Sequence, residues 1–166
     1  MKNNTMKLLE SIENNLNESV NLDWFKEDGL SIAKGVAEQE GNLKCCQEVS
    51  KAVVEGASKD GISCKILDCG VITRNEMNSS HTVVQIDGGI VDYTQKQFFG
   101  SSNPEDCIPN IIGEFKDIDG EVKAYTNNTF KDKEGNNINY FSKDLIEALN
   151  NNKVVPDVND YIIYVL

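Results

Sequence analysis

The sequence predicts an α+β fold, with helices packed on a mostly antiparallel sheet in a single domain over 1–166. Three observations carry that prediction. Apolar residues recur at helical spacing through the first third of the chain, and short apolar runs of strand length follow. Between two of those runs stands Asp87-Gly88-Gly89, a strong hairpin signal. No internal repeat or low-complexity linker divides the 166 residues, a length that suits one domain.

Thr5 to Leu16 reads as an amphipathic packing helix, capped by Asn4 or Thr5, with Leu8, Leu9, Ile12 and Leu16 on one face. Trp24, the sole tryptophan, is expected in the core. Gly29 to Glu40 carries a weaker helical pattern through Leu30, Ile32, Ala33, Val36 and Ala37, which Gly41-Asn42 breaks. From Cys46 the pattern resumes with Val49, Ala52, Val53 and Ala57, until Gly56 or Gly61 ends it. Ile62 to Cys69 alternates as a strand, with Ile62, Cys64 and Ile66 to one side, and Val71 to Ser80 reads as a polar connection. His81 to Ile86 and Ile90 to Thr94 are the two arms of the hairpin. Pro104 opens a helical turn that Pro109 keeps short, with Cys107, Ile108, Ile111, Ile112 and Phe115 as its core residues. Glu121 to Thr126 and Ile138 to Phe141 read as weaker strands. Ser142 caps a helix bearing Leu145, Ile146 and Leu149, and Asp160 to Leu166 is a final apolar strand.

Composition narrows the functions. There are 16 basic and 27 acidic residues, for a net charge of −11, and no Lys/Arg cluster offers a nucleic acid a landing site. Five cysteines form no CxxC pair and only one histidine is present, so a structural zinc site lacks its ligands and no cofactor is expected. No nucleotide-binding glycine motif occurs either. An odd number of cysteines in a chain large enough to fold unaided points to reduced thiols. The amino-terminal residues lack the apolar core and cleavage site of a signal peptide, and no apolar run reaches membrane-spanning length. The expectation is a soluble protein without membrane insertion. It would be cytoplasmic, or delivered into a target cell by a route that needs no signal peptide.

The residue types for thiol catalysis occur in order along Gly41 to Phe98: a cysteine, a histidine and an aspartate. Cys46 stands at the start of a helix, where backbone N–H groups favour a thiolate. Val49 and Val53, at i+3 and i+7, put Cys46 on the inward face and turn Cys45 elsewhere, and Cys45 remains the competitor for the role. His81 leads its strand, and Asp92 lies inside an apolar strand where a buried carboxylate needs a partner. The simplest hairpin register sets Asp92 opposite Val84 or Gln85, so a meeting with His81 needs a bulge or strong twist. Gln97, just past that strand, is placed where a side-chain amide could donate to an oxyanion.

Cys46-Gln47-Glu48-Val49-Ser50, His81-Thr82-Val83-Val84-Gln85-Ile86-Asp87-Gly88, Asp92-Tyr93-Thr94 and Gln97-Phe98 together resemble the papain-like toxin and effector domain superfamily. That superfamily includes the glutamine-deamidating C-terminal domain of the Pasteurella multocida toxin. The resemblance covers about a third of the chain, Gly41 to Phe98, and rests most on the D-x-T-x-x-Q-F run with its upstream histidine. It departs from the family at the approach to the cysteine. Relatives use a glycine-rich or Asn-Cys segment, whereas Leu43-Lys44-Cys45 intervene here. The resemblance implies a papain-like fold with residues 1–40 as a helical N-terminal part and 41–166 as the catalytic core. It implies Cys46 as nucleophile, His81 as general base and acid, Asp92 as orienter and Gln97 in the oxyanion hole. The activity implied is a bacterial effector-type deamidase of glutamine side chains in a protein substrate. A cysteine peptidase or transglutaminase-like acyl transferase would use the same triad, and a non-catalytic binding or immunity module on the same fold is a third reading.

Overall fold

The computed structural model describes residues 5–9, 22–40, 45–75, 79–87, 89–101, 103–112, 116–118, 120, 122–126, 134–136, 147, 151 and 161–165. Helix α1 runs Asp28–Glu40 and helix α2 Cys46–Lys59. The strands are β1 (Lys65–Ile72), β2 (Ser79–Ile86), β3 (Gly89–Asp92), β4 (Asn110–Ile112), β5 (Lys116–Ile118), β6 (Val122–Thr126) and β7 (Ile162–Val165). Short 3-10 turns cover Gln95–Phe99 and Pro104–Asp106. Among the described residues seven strands join one sheet in the order β4-β3-β2-β1-β7-β6-β5, and each of their pairings is antiparallel. The protein is therefore α+β, as the order of its elements predicts. Of the helix and strand expected over 138–149 only Glu147 is described, and it is helical; the rest lies outside the described residues, as does Phe115.

Helix α2 ends at Gly61 rather than Gly56. Gly61 takes a positive φ of 73°, its N–H donates to Ser58 O at 3.2 Å, and the N–H of Ile62 donates to Ala57 O at 2.8 Å. This is a Schellman closure, which glycine adopts without a Cβ penalty. It also corrects the first strand. The closure turns Ile62 and Cys64 back against the helices, so β1 begins at Lys65 and continues to Ile72, leaving Ile66 42% exposed. Gly56 instead lies inside α2 beneath Ile32, where a Cβ would meet that side chain and α1 packs close.

Apolar side chains fill both faces of the sheet. On the helix side, Trp24, Phe25, Ala33, Ala37, Val49 and Val53 pack against Val84, Val91 and Tyr93. Trp24 Nε1 donates to Asp60 Oδ2 at 2.7 Å, and Tyr93 OH donates to the Phe25 carbonyl at 2.7 Å. The helical residues 22–40 thus share one core with the sheet. On the other face, Val71, Val83, Ile90, Phe98, Tyr161 and Ile163 cluster. Alternate residues of β2 and β3 serve opposite faces, as a pleated strand requires. Three expected core positions are exposed: Ile108, and Leu8 and Leu9 at 61% and 54% in the helical segment 5–9. Ile12 and Leu16 of that segment lie outside the described residues.

Candidate active site

The hairpin register decides whether an imidazole and a carboxylate meet. Val84 pairs with Val91, Gln85 with Ile90 and Ile86 with Gly89. Continued by one step, that register sets Asp92 opposite Val83, not Val84 or Gln85. Against Val84 this is a shift of one residue, which turns Asp92 to the other face, and against Gln85 it is a shift of two, which keeps the face and brings Asp92 nearer His81. Asp92 and His81 therefore share a face as diagonal neighbours, close enough for two polar side chains to meet without a bulge. His81 Nε2 lies 3.0 Å from Asp92 Oδ2. Both are buried, Asp92 completely.

Asp92 is held from three sides. Tyr161 OH donates to the same Oδ2 at 2.6 Å, and the backbone N–H of Thr94 donates to Oδ1 at 3.0 Å. Burial would favour the protonated acid, but His81 and these donors outweigh it and hold the carboxyl below its ordinary value. The Phe98 ring stands edge-on to the imidazole, with centroids 4.8 Å apart and planes at 88°.

Cys46 approaches from the end of α2. Past Asp92 the strand β3 stops, and the first turn of α2 takes its place beside β2. Ser50 Oγ donates to the Thr82 carbonyl at 3.1 Å, while the Thr82 and Gln47 backbone N–H groups hydrogen-bond the Cys46 sulfur. With Nε2 engaged by Asp92, Nδ1 is the ring atom that serves the hydrogen bond between His81 and the Cys46 thiol. Burial alone would raise the thiol pKa. The hydrogen bond and charge of His81, together with the two backbone donors, reverse this and hold Cys46 below its ordinary value. In the same way, burial would lower His81, but Asp92 and Cys46 push it up to about 9. The two shifts run in opposite directions, each charge favouring the other: the thiolate of Cys46 and the imidazolium of His81. Burial raises every other cysteine: Cys45, Cys64, Cys69, and Cys107 to about 11.

The surroundings of Cys46 and Cys45 differ on a ground other than the helix phase expected from the sequence. Cys45 is the buried one, packed with Ala37, Val49 and Cys107 in the helix-side core. Cys46, half-buried, lies one turn before Ser50 on the stripe that faces the backbone of β2. The Cys45 side chain makes no capping hydrogen bond, and the first intrahelical bond is Val49 N–H to Cys45 O. The N–H groups of Cys46, Gln47 and Glu48 therefore have no carbonyl partner within the helix.

Gln97 reaches the same place. Its Nε2 donates to Thr94 Oγ1 at 3.1 Å and lies 3.4 Å from His81 Nδ1. The residues of the D-x-T-x-x-Q-F run thus each touch the histidine or a neighbour that holds it. A cleft of about 30 Å³ opens beside them, lined by Cys45, Thr94, Lys96, Gln97, Asn103 and Asp106 among others. Tyr161 was not singled out from the sequence. The available signal was a tyrosine at the head of an apolar strand, since a buried phenol needs a hydrogen-bond partner.

Among the described residues no group of three His, Cys, Asp or Glu side chains could hold a metal ion, and no helix is long and apolar enough to cross a membrane. No protein-family model matches the chain, and neither the curated proteins nor the solved structures yield a match.

Proposed function

We propose that this chain is a cysteine-dependent hydrolase that acts on an amide, a glutamine deamidase of the papain-like toxin and effector type. The observation that carries the reading is the line Cys46–His81–Asp92, in which a helix-start thiol meets an imidazole whose other nitrogen rests on a buried carboxylate. The glutamine side chain as substrate follows from the resemblance over Gly41 to Phe98, and so does the papain-like architecture.

The chemistry balances on these residues. The Cys46 thiolate adds to the carboxamide carbon, and the C=O electron pair moves onto oxygen. Gln97 and the N–H groups at the head of α2 are the donors on hand for that oxyanion. As the oxyanion collapses the C–N bond breaks, and His81 gives the leaving nitrogen its proton, releasing ammonia and a thioester. Neutral His81 then takes a proton from water as the water oxygen bonds to the acyl carbon. The C–S bond breaks, which restores the Cys46 thiolate beside protonated His81, and the released carboxylic acid gives its proton to the freed ammonia, leaving carboxylate and ammonium.

The test is to incubate wild-type and Cys46→Ala chains with candidate proteins and read the products by mass. A Cys46-dependent Gln-to-Glu change with intact backbones supports deamidation. Cys46-dependent fragments would replace it with a peptidase. A Cys46 that iodoacetamide labels no faster than Cys64 at neutral pH would sink the activated thiolate itself and leave a binding module.

A further inference from the structure

Asp92 Oδ2 accepts two hydrogen bonds, one from His81 Nε2 and one from a residue contributed by the far side of the sheet. Tyr161 precedes β7, separated from β3 by β2 and β1, and its hydroxyl still comes within 2.6 Å of the carboxylate. Its ring is fully buried and lies against Phe98 and Phe99, both at centroid distances of 6.2 Å. Phe98 in turn stands against the His81 ring. One side chain therefore touches both supports of the histidine: the carboxylate that accepts from Nε2 and the aromatic edge that flanks the ring.

We propose that Tyr161 is the positioning residue of the His81–Asp92 pair, fixing through its hydroxyl and its ring the carboxylate and imidazole so that Nδ1 stays aimed at Cys46. This deepens the thiol-hydrolase reading and rests on it for its catalytic meaning. The hydroxyl also sets how strongly Asp92 holds the imidazolium. A carboxylate oxygen that already accepts from Tyr161 has less negative charge to offer His81. The proton on His81 must leave for each thioester to be hydrolysed, so too strong a hold would slow turnover. The other groups facing His81 are Cys46 from α2, Cys69, which pairs with it across β1, and the Gln97 amide from the 3-10 turn.

The experiment uses the full chain and its single histidine, whose imidazole NMR signal reports on His81 alone. Tyr161→Phe keeps the ring packed on Phe98 and removes only the hydroxyl, and Tyr161→Leu removes both. In Tyr161→Phe the titration midpoint of His81 should rise by about half a pH unit or more, the share of a charge-assisted hydrogen bond transmitted through Asp92. In Tyr161→Leu the imidazole signal should in addition broaden or split as the ring loses its flanking support. An unchanged midpoint in Tyr161→Phe, with the chain folded by circular dichroism, would overturn the proposal and reduce Tyr161 to a core residue. Because the titration needs no substrate, that failure would leave the hydrolase reading standing. An inert Cys46 alongside the expected shift would do the reverse.

Discussion

Replacing Asp92 with asparagine should undo the thiolate–imidazolium pair while changing almost nothing in volume. The carboxylate accepts from His81 Nε2, Tyr161 OH and Thr94 N–H in a fully buried site. An amide has one oxygen. Placed toward His81 and Tyr161, it sets its NH₂ against the Thr94 N–H, and that buried donor is orphaned. With the lost charge on His81, the cost is about 3 kcal/mol, a large share of the roughly 5–15 kcal/mol that holds such a domain together. His81 is held at about 9 chiefly because Asp92 outweighs burial. Without the charge, burial wins and the midpoint should fall below the ordinary 6.5. Cys46 then loses its cationic partner. A thiol at its ordinary value of 9.0 is about 1% thiolate at pH 7, so iodoacetamide labelling of Cys46 should slow tenfold or more. Stability should change its pH dependence as well. A histidine raised to about 9 from 6.5 stabilises the fold fully below 6.5, and that contribution is lost as pH climbs through 9. Asp92, held below its ordinary 3.8, adds stability above 3.8 that is lost as pH falls. Both slopes should flatten in Asp92→Asn when urea midpoints are compared across pH. A histidine that still titrates near 9, with Cys46 labelled at the wild-type rate, would refute the electrostatic argument.

Cys46→Ala should abolish activity with the fold intact, whereas Cys45→Ala should leave the chemistry in place and lower stability by about 1–2 kcal/mol through a small core cavity. If activity falls with Cys45 instead, the assignment is wrong. Gln97→Ala should lower kcat by about 100-fold or more with little change in KM, as the loss of an oxyanion donor does. An equal loss confined to KM would make Gln97 a binding residue. At Gly70 of β1 a Cβ would collide with the Tyr164 ring, so Gly70→Ala should destabilise by about 1–3 kcal/mol in chemical denaturation. A neutral result would mean that Tyr164 moves aside freely.

Much of the site was legible because its signals are local. A helix start at Cys46, a strand that carries His81 and an aspartate buried in an apolar strand each follow from a few neighbouring residues, although that strand begins at Ser79, two residues before the expected start at His81. Where reading failed, a contact with another element intervened. β1 slipped to Lys65 because the Gly61 closure draws Ile62 and Cys64 onto the helices. Ile108 carries no neighbouring cue to its exposure, and Leu8 and Leu9 lie exposed although they sit at helical apolar spacing.

By itself the sequence determined the α+β class, the hairpin, the start of α2 at Cys46 and the residue types available for thiol chemistry. Periodicity, turn chemistry and side-chain polarity act over a few residues and survive in a one-dimensional reading. The tertiary structure decided whether those residues meet. The β2–β3 register, which sets Asp92 opposite Val83, put it on the face of His81 as a diagonal neighbour, and the end of β3 left an edge that Cys46 and Ser50 fill. A strand from the far end of the chain delivered the Tyr161 hydroxyl to the carboxylate. Register and long-range packing depend on energies summed over residues distant in sequence, so no local pattern encodes them.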